Sequence, residues 1–113
     1  MVITATFPPV LDEIVTRLAS GLGAERIYLF GSQASGQASP GSDYDLLVVV
    51  PRSNLPRHRR ETKSYDLLWG LTVSVDVIVL TRAEFRRLAQ VKTSLAATAK
   101  TKGVLLYGRP EAG

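Results

Sequence analysis

The 113-residue chain contains no cysteine, and only one histidine, one tryptophan and one methionine. Without cysteine there are no disulfides and no thiolate metal sites, which fits a reducing compartment, and a cytoplasmic location is expected. One histidine leaves carboxylates as the only acidic or metal-ligating side chains present in number. Long apolar runs are also missing. The longest aliphatic stretch, Leu46 to Val50, has five residues, far short of the ~20 that cross a bilayer. The N-terminal MVITATFPPVLDE has no basic start leading into a long apolar segment, so neither a membrane span nor a secretory signal is expected. Charge is not strongly one-sided: the net value is +4, and ten of the fourteen basic residues are arginine. Arginine suits phosphate, and nucleic acid is a conceivable ligand, but an excess this modest equally describes a solvated surface. At 12.3 kDa and 45% hydrophobic residues, one globular domain spanning 1–113 is expected.

The rest of the chain is built around Tyr28 to Val50, YLFGSQASGQASPGSDYDLLVVV. Upstream, Pro8-Pro9 followed by Leu11, Ile14, Val15, Leu18 and Leu22 has helical spacing. Proline suits a first turn, and Gly21 and Gly23 supply a stop, so a helix is predicted from about Pro8 to Ser20. Arg26 to Phe30 reads as a first strand and Asp43 to Val50 as a second. The loop between them, 31–42, holds four serines and three glycines, and a short helix beginning near Ser32 is consistent with it. The second strand carries aliphatics on both faces. Both faces therefore need covering, if not by the chain's own helices then by a partner, a second copy of the chain included.

Downstream, a helix is predicted from about Arg57 to Trp69, with Tyr65, Leu68 and Trp69 as its apolar, core-facing side. The cluster Arg57-His58-Arg59-Arg60 reads as its solvated start. Thr72 to Leu80 reads as a third strand. Thr81-Arg82-Ala83-Glu84 has the spacing of a capping box at a helix N-terminus. An alanine-rich helix from about Lys92 to Lys102 ends at Gly103, and Val104 to Tyr107 reads as a short edge strand. The predicted class is α/β (α+β): a small mixed sheet of three to four strands flanked by helices.

Side chains alternate along a strand, so Asp43 and Asp45 project to one face. In the third strand Val73, Val75, Val77 and Val79 share a face, and Ser74, Asp76, Ile78 and Leu80 share the other. If the second and third strands are neighbours, Asp76 lies beside the first pair. Each aspartate alone has a structural reading as a turn cap or a chance Asp-x-Asp. Three together repel one another, and burial deepens the conflict. One or two Mg²⁺ ions would remove it, since magnesium takes oxygen ligands and shares its shell with phosphates.

Gly31-Ser32 adds a close-approach glycine and a hydroxyl suited to phosphate oxygens. Gly31 and Gly36 have the glycine spacing of a Walker A loop, but Gln37-Ala38 stands where Lys-Ser/Thr is required. No Gly-x-Gly-x-x-Gly fingerprint occurs.

Taken together, Gly31-Ser32-Gln33-Ala34-Ser35-Gly36, Ser42-Asp43-Tyr44-Asp45-Leu46 and Val75-Asp76-Val77 resemble the DNA polymerase β-type nucleotidyltransferase superfamily, and within it the minimal nucleotidyltransferase (MNT) group. The resemblance runs to the closing GVLLYG. It implies the polymerase β-like fold, Gly31 and Ser32 on the nucleotide's phosphates, and Asp43, Asp45 and Asp76 on Mg²⁺ and in catalysis. The implied reaction is transfer of a nucleoside monophosphate, AMP from ATP, to an acceptor hydroxyl. Many relatives carry arginine where Ser35 stands, which removes one phosphate contact. Small members of the group are antitoxins of HEPN/MNT toxin–antitoxin pairs that adenylylate a HEPN-type toxin, and such a partner is the implied acceptor. A contact-only binding module is one alternative. A transferase acting on a small molecule or an RNA end is another, although antibiotic-modifying relatives generally carry an added helical domain.

Overall fold

The computed structural model describes residues 8–31 and 43–109. The elements follow in the order α1 (Pro9–Leu22), β1 (Arg26–Phe30), β2 (Tyr44–Val50), α2 (Arg57–Leu67), β3 (Val75–Thr81), α3 (Arg82–Ala89), α4 (Leu95–Lys102) and β4 (Val104–Gly108). The strands form a mixed sheet in the order β3-β2-β1-β4. β1 pairs antiparallel with both β2 and β4, and β2 pairs parallel with β3. Among the described residues no helix is long and apolar enough to cross a membrane.

β2 is central, and alternation sends its side chains into two separate cores. Leu46, Val48 and Val50 join Ile27, Leu29, Val77 and Val79 beneath Leu11, Ile14, Val15 and Leu18 of α1. On the opposite face Leu47 and Val49 join Tyr28 and Leu80 beneath Phe85 of α3 and Ala96 and Ala99 of α4. Every one of these β2 residues is buried. The chain's own helices thus cover both faces, the first of the two coverings the sequence left open. Full burial of each such aliphatic contributes about 1.5–3 kcal/mol, which makes the sheet interior the main source of stability.

α1 runs two residues past its predicted end because Gly23, at φ 65°, makes the left-handed stop. Gly21 is not a stop but lies inside the helix, where the side chain of Leu67 occupies the space a Cβ would need. The capping box forms as read: the Glu84 amide donates to Thr81 Oγ1 at 3.2 Å, and Glu84 Oε1 accepts from the Thr81 amide at 2.8 Å. α4 begins at Leu95, three residues later than expected, because Ser94 caps it by accepting from the Ala97 amide.

α2 departs furthest from expectation. It ends at Leu67, and the side assigned to the core is in part solvent-facing: Trp69 is 86% exposed and Tyr65 45% exposed. The buried positions of α2 are Arg60 and Ser64 instead. The helix lies along the outer edge of β3 and satisfies that strand's unpaired backbone. The Val77 amide donates to Tyr65 Oη at 3.1 Å and the Val79 amide to Glu61 Oε2 at 3.3 Å. Arg60 Nη1 donates to the Val79 carbonyl at 2.9 Å and to Glu84 Oε1 at 2.7 Å. Arg60 is therefore a buried strap rather than part of a solvated helix start, whereas Arg57, His58 and Arg59 are exposed. An edge covered in this way cannot template another strand.

Candidate functional site

β1 ends at Phe30, and Gly31 turns the chain away at φ 78°, a conformation that only glycine adopts without strain. A Cβ built on Gly31 would collide with the Asp45 carboxylate. The end of β1 is thus fitted directly against the first buried turn of β2. Backbone atoms, not a side chain, form the wall beside Asp45.

Asp45 lies at the second position of β2, opposite Phe30 on one side and Asp76 on the other. Because β2 and β3 are parallel and in register at this pair, the two aspartates point to the same face. Their Cα atoms are about 5 Å apart, one strand spacing. The Tyr44 amide donates to the Ser74 carbonyl at 3.0 Å and locks the register just before the carboxylates. Asp43, one residue ahead of the strand, shares the alternation of Asp45. All three lie at one end of the sheet, on the face that carries Leu47 and Leu80 deeper in.

Burial is unequal among them. Asp43 and Asp76 are exposed and Asp45 is half-buried. The expectation that Asp76 sits as a costly buried charge is corrected: β3 is an edge strand, so its N-terminal end is open to water. The electrostatic cost falls on Asp45. Its burial, then the charges of Asp76 and Asp43, push its carboxyl above the ordinary carboxylate range. Among the described residues no cationic side chain pairs with any of the three.

The three carboxylates influence one another without converging on a point. Among the described residues no group of three or more acidic, histidine or cysteine side chains is drawn together closely enough to hold a metal ion. The donor chemistry fits a hard divalent cation: the ligands are all oxygen, they share one strand face, and the middle one is pushed up by burial and by the charges of the other two. Ser32, the second expected phosphate contact, lies outside the described residues, as do Ser35, Ser42 and the expected short helix after Gly31.

Tyr65 was not legible as a neighbour of this site. Its hydroxyl accepts from Val77, the residue after Asp76, and its ring borders a concavity that Val75, the residue before Asp76, also lines. The signal that points to it is the polarity of α2, which is too high for a helix that packs on a core.

A family model for the nucleotidyltransferase domain matches residues 11–105, a span that includes Gly31, Asp43, Asp45 and Asp76. Among solved structures, a candidate nucleotidyltransferase from Sulfolobus solfataricus aligns with 27% identity and a TM-score of 0.63, covering 91% of this chain and 81% of that one. A toxin–antitoxin structure with AMP-PNP aligns with 25% identity and a TM-score of 0.55, covering 87% and 73%. A variant of the toxin–antitoxin MntA-HpeT aligns with 26% identity and a TM-score of 0.56, covering 88% and 72%. Curated protein sequences give no match.

Proposed function

Since the chain belongs to the nucleotidyltransferase domain family, we propose that it transfers AMP from ATP to a hydroxyl on a partner toxin of the HEPN type, and so acts as that toxin's antitoxin. The observation that carries the reading is the in-register pair Asp45 and Asp76, with Asp43 beside it and the Gly31 backbone against it. The adenine nucleotide and the toxin partner are supported by the solved toxin–antitoxin structure with AMP-PNP.

The family reaction joins an acceptor oxygen to the α-phosphorus and breaks the bond from that phosphorus to the oxygen bridging to the β-phosphate. Pyrophosphate leaves. In this reading Gly31, without a Cβ, lets backbone approach the phosphates, and the Ser32 hydroxyl binds a phosphate oxygen. Asp43, Asp45 and Asp76 would hold Mg²⁺, one ion or two, which would supply charge neutralisation to the phosphates when bound. Asp76, on the outermost strand and open to water, stands on the side from which an acceptor enters. It is placed to orient that hydroxyl and receive its proton. Asp45, walled by β1 and β3, is fixed in position and defines the centre of the site.

The test is label transfer. The protein is incubated with ATP labelled at the α-phosphate, Mg²⁺ and the protein that co-purifies with it. Label is expected on the partner, and the variant carrying both Asp43→Asn and Asp45→Asn is expected to transfer none. Absence of label, or equal transfer by the double variant, overturns the proposal. A contact-only module would keep protecting cells with that double variant. Of the two features that favour this alternative, Ser35 in place of arginine and the two-faced β2, the second is accounted for by the chain's own helices.

A further inference from the structure

Beyond the end of α2 the chain presents its one tryptophan to solvent, 86% exposed. A large aromatic surface left in water is unfavourable, and tryptophan is enriched among the residues that carry binding energy at protein interfaces. The indole is not on a loose segment. Arg17 Nη1 donates to the Trp69 carbonyl at 3.0 Å and to the Leu67 carbonyl at 3.3 Å, and the Leu71 amide donates to the Leu68 carbonyl at 3.2 Å. Gly70, at φ 90°, completes the turn. The backbone is held and the ring projects, a pre-organised arrangement that lowers the ordering cost of binding.

Trp69 and Tyr65 border a concavity of about 370 Å³ whose floor is Leu71, Val73 and Val75. Its position is specific. Val75 immediately precedes Asp76, and Val77, which immediately follows it, donates its amide to Tyr65. The groove therefore meets β3 at the residue before the outermost carboxylate, on the sheet face opposite the one from which Asp76 projects, and Tyr65 reaches the strand edge just beyond it. Gly31 lies on β1's side of β2, two strands inboard of the groove and about 10 Å away. The Trp69 amide donates to the Asp66 carbonyl at 3.3 Å, so the exposed Asp66 belongs to the turn that presents the ring, and none of the lining residues is cationic.

We propose that this groove docks the acceptor: a segment of a partner protein with an apolar side chain to seat against Trp69, a basic side chain to meet Asp66, and the hydroxyl that reaches Asp76 around the edge of β3. This rests on the nucleotidyl-transfer reading for the identity of the acceptor, but not for the existence of the docking site. The charge and the apolar floor select a cationic, amphipathic peptide segment. A triphosphate would meet Asp66 as a like charge and would find no cationic side chain in the groove lining.

Because Trp69 is the only tryptophan, its emission reports the groove alone. The probes are ATP with Mg²⁺ and a set of peptides carrying one serine, threonine or tyrosine hydroxyl between two leucines and flanked by lysines. Peptide is expected to shift Trp69 emission to the blue saturably, and Asp66→Lys to weaken that titration by about fivefold or more. ATP with Mg²⁺ is expected to leave emission unchanged. Trp69→Ala, an exposed position whose loss spares the core, is expected to weaken peptide capture by about tenfold while ATP binding is retained. A saturable shift with ATP alone, a shift with protein concentration alone, or no shift with any peptide overturns the docking assignment. Transfer from labelled ATP to peptide that is indifferent to Trp69 overturns it as well, and leaves the transfer reading intact. Peptide binding that depends on Trp69 without any label transfer supports the groove and counts against the transfer reading instead.

Discussion

Asp45 and Asp76 stand opposite each other across the parallel pair β2 and β3, one half-buried and the other open to water. Burial and the two neighbouring charges hold the Asp45 carboxyl above its ordinary range. A raised carboxyl favours the fold only while it is protonated. Its contribution is full below the unfolded carboxylate range and is lost as pH rises through the raised folded value. Above that window the charge on Asp45 is therefore net destabilising.

Two thermal measurements follow from that relationship. In chelator at pH 7, Asp45→Asn is expected to melt about 2–4 °C above the parent chain, and the gain is expected to vanish in acid. If the carboxylates hold Mg²⁺ as proposed, the ion is expected to raise the parent's Tm by binding the folded state, and to raise that of Asp45→Asn much less. Equal Mg²⁺ responses in the two proteins would remove Asp45 from the cation site.

Gly31 admits no side chain. A Cβ there meets the Asp45 carboxylate, and the positive φ adds backbone strain of about 1–2 kcal/mol for any L-residue. Gly31→Ala is expected to lose about 2 kcal/mol in chemical denaturation and more than tenfold in transfer rate, since Asp45 must move. Near-parental transfer by Gly31→Ala would show that the fit between β1 and Asp45 is not needed.

The strands and the carboxylate geometry were legible because they rest on alternation, although β3 begins at Val75, three residues later than predicted, and ends at Thr81. RIYLF is a strand over its full predicted length, and the face shared by Asp76 and Leu80 follows from counting in twos. The burial of each carboxylate was not legible, because it depends on strand order: β3 proved to be an edge, so Asp76 is wet and Asp45 carries the strain. α2 was misread for a related reason. Apolar spacing finds the face that meets a core, but α2 packs along a sheet edge. Its buried work is done by Arg60, Glu61 and the Tyr65 hydroxyl, so Trp69 was left over for the surface.

Arg60 and Glu84 join α2 to the start of α3. The Arg60 hydrogen bond is the main cause holding the Glu84 carboxyl down at about 2, against an opposing effect of burial. A depressed carboxyl contributes stability above the unfolded carboxylate range, and this is lost as pH falls through the folded value. Glu84→Gln keeps a side chain able to serve the capping box, so it isolates the charge. The variant is expected to be less stable by about 1–2 kcal/mol at pH 7, a difference that closes between about pH 4.5 and 2. A difference that is constant across that window would assign the effect to packing.

Tyr65→Phe tests the edge of β3 without disturbing its core. The ring stays, but the acceptor for the Val77 amide goes, and that amide flanks Asp76. The expected cost is about 1 kcal/mol, toward the low end for a lost hydrogen bond because water can reach a side chain this exposed. Hydrogen exchange resolves the effect by residue. The Val77 amide is expected to exchange faster in the variant, whereas the Val79 amide, which donates to Glu61, is expected to keep its parental rate. Acceleration at both positions would mean that α2 releases the edge as a unit, and that the tyrosine hydroxyl, rather than the Arg60 strap, fixes the helix beside the outermost carboxylate.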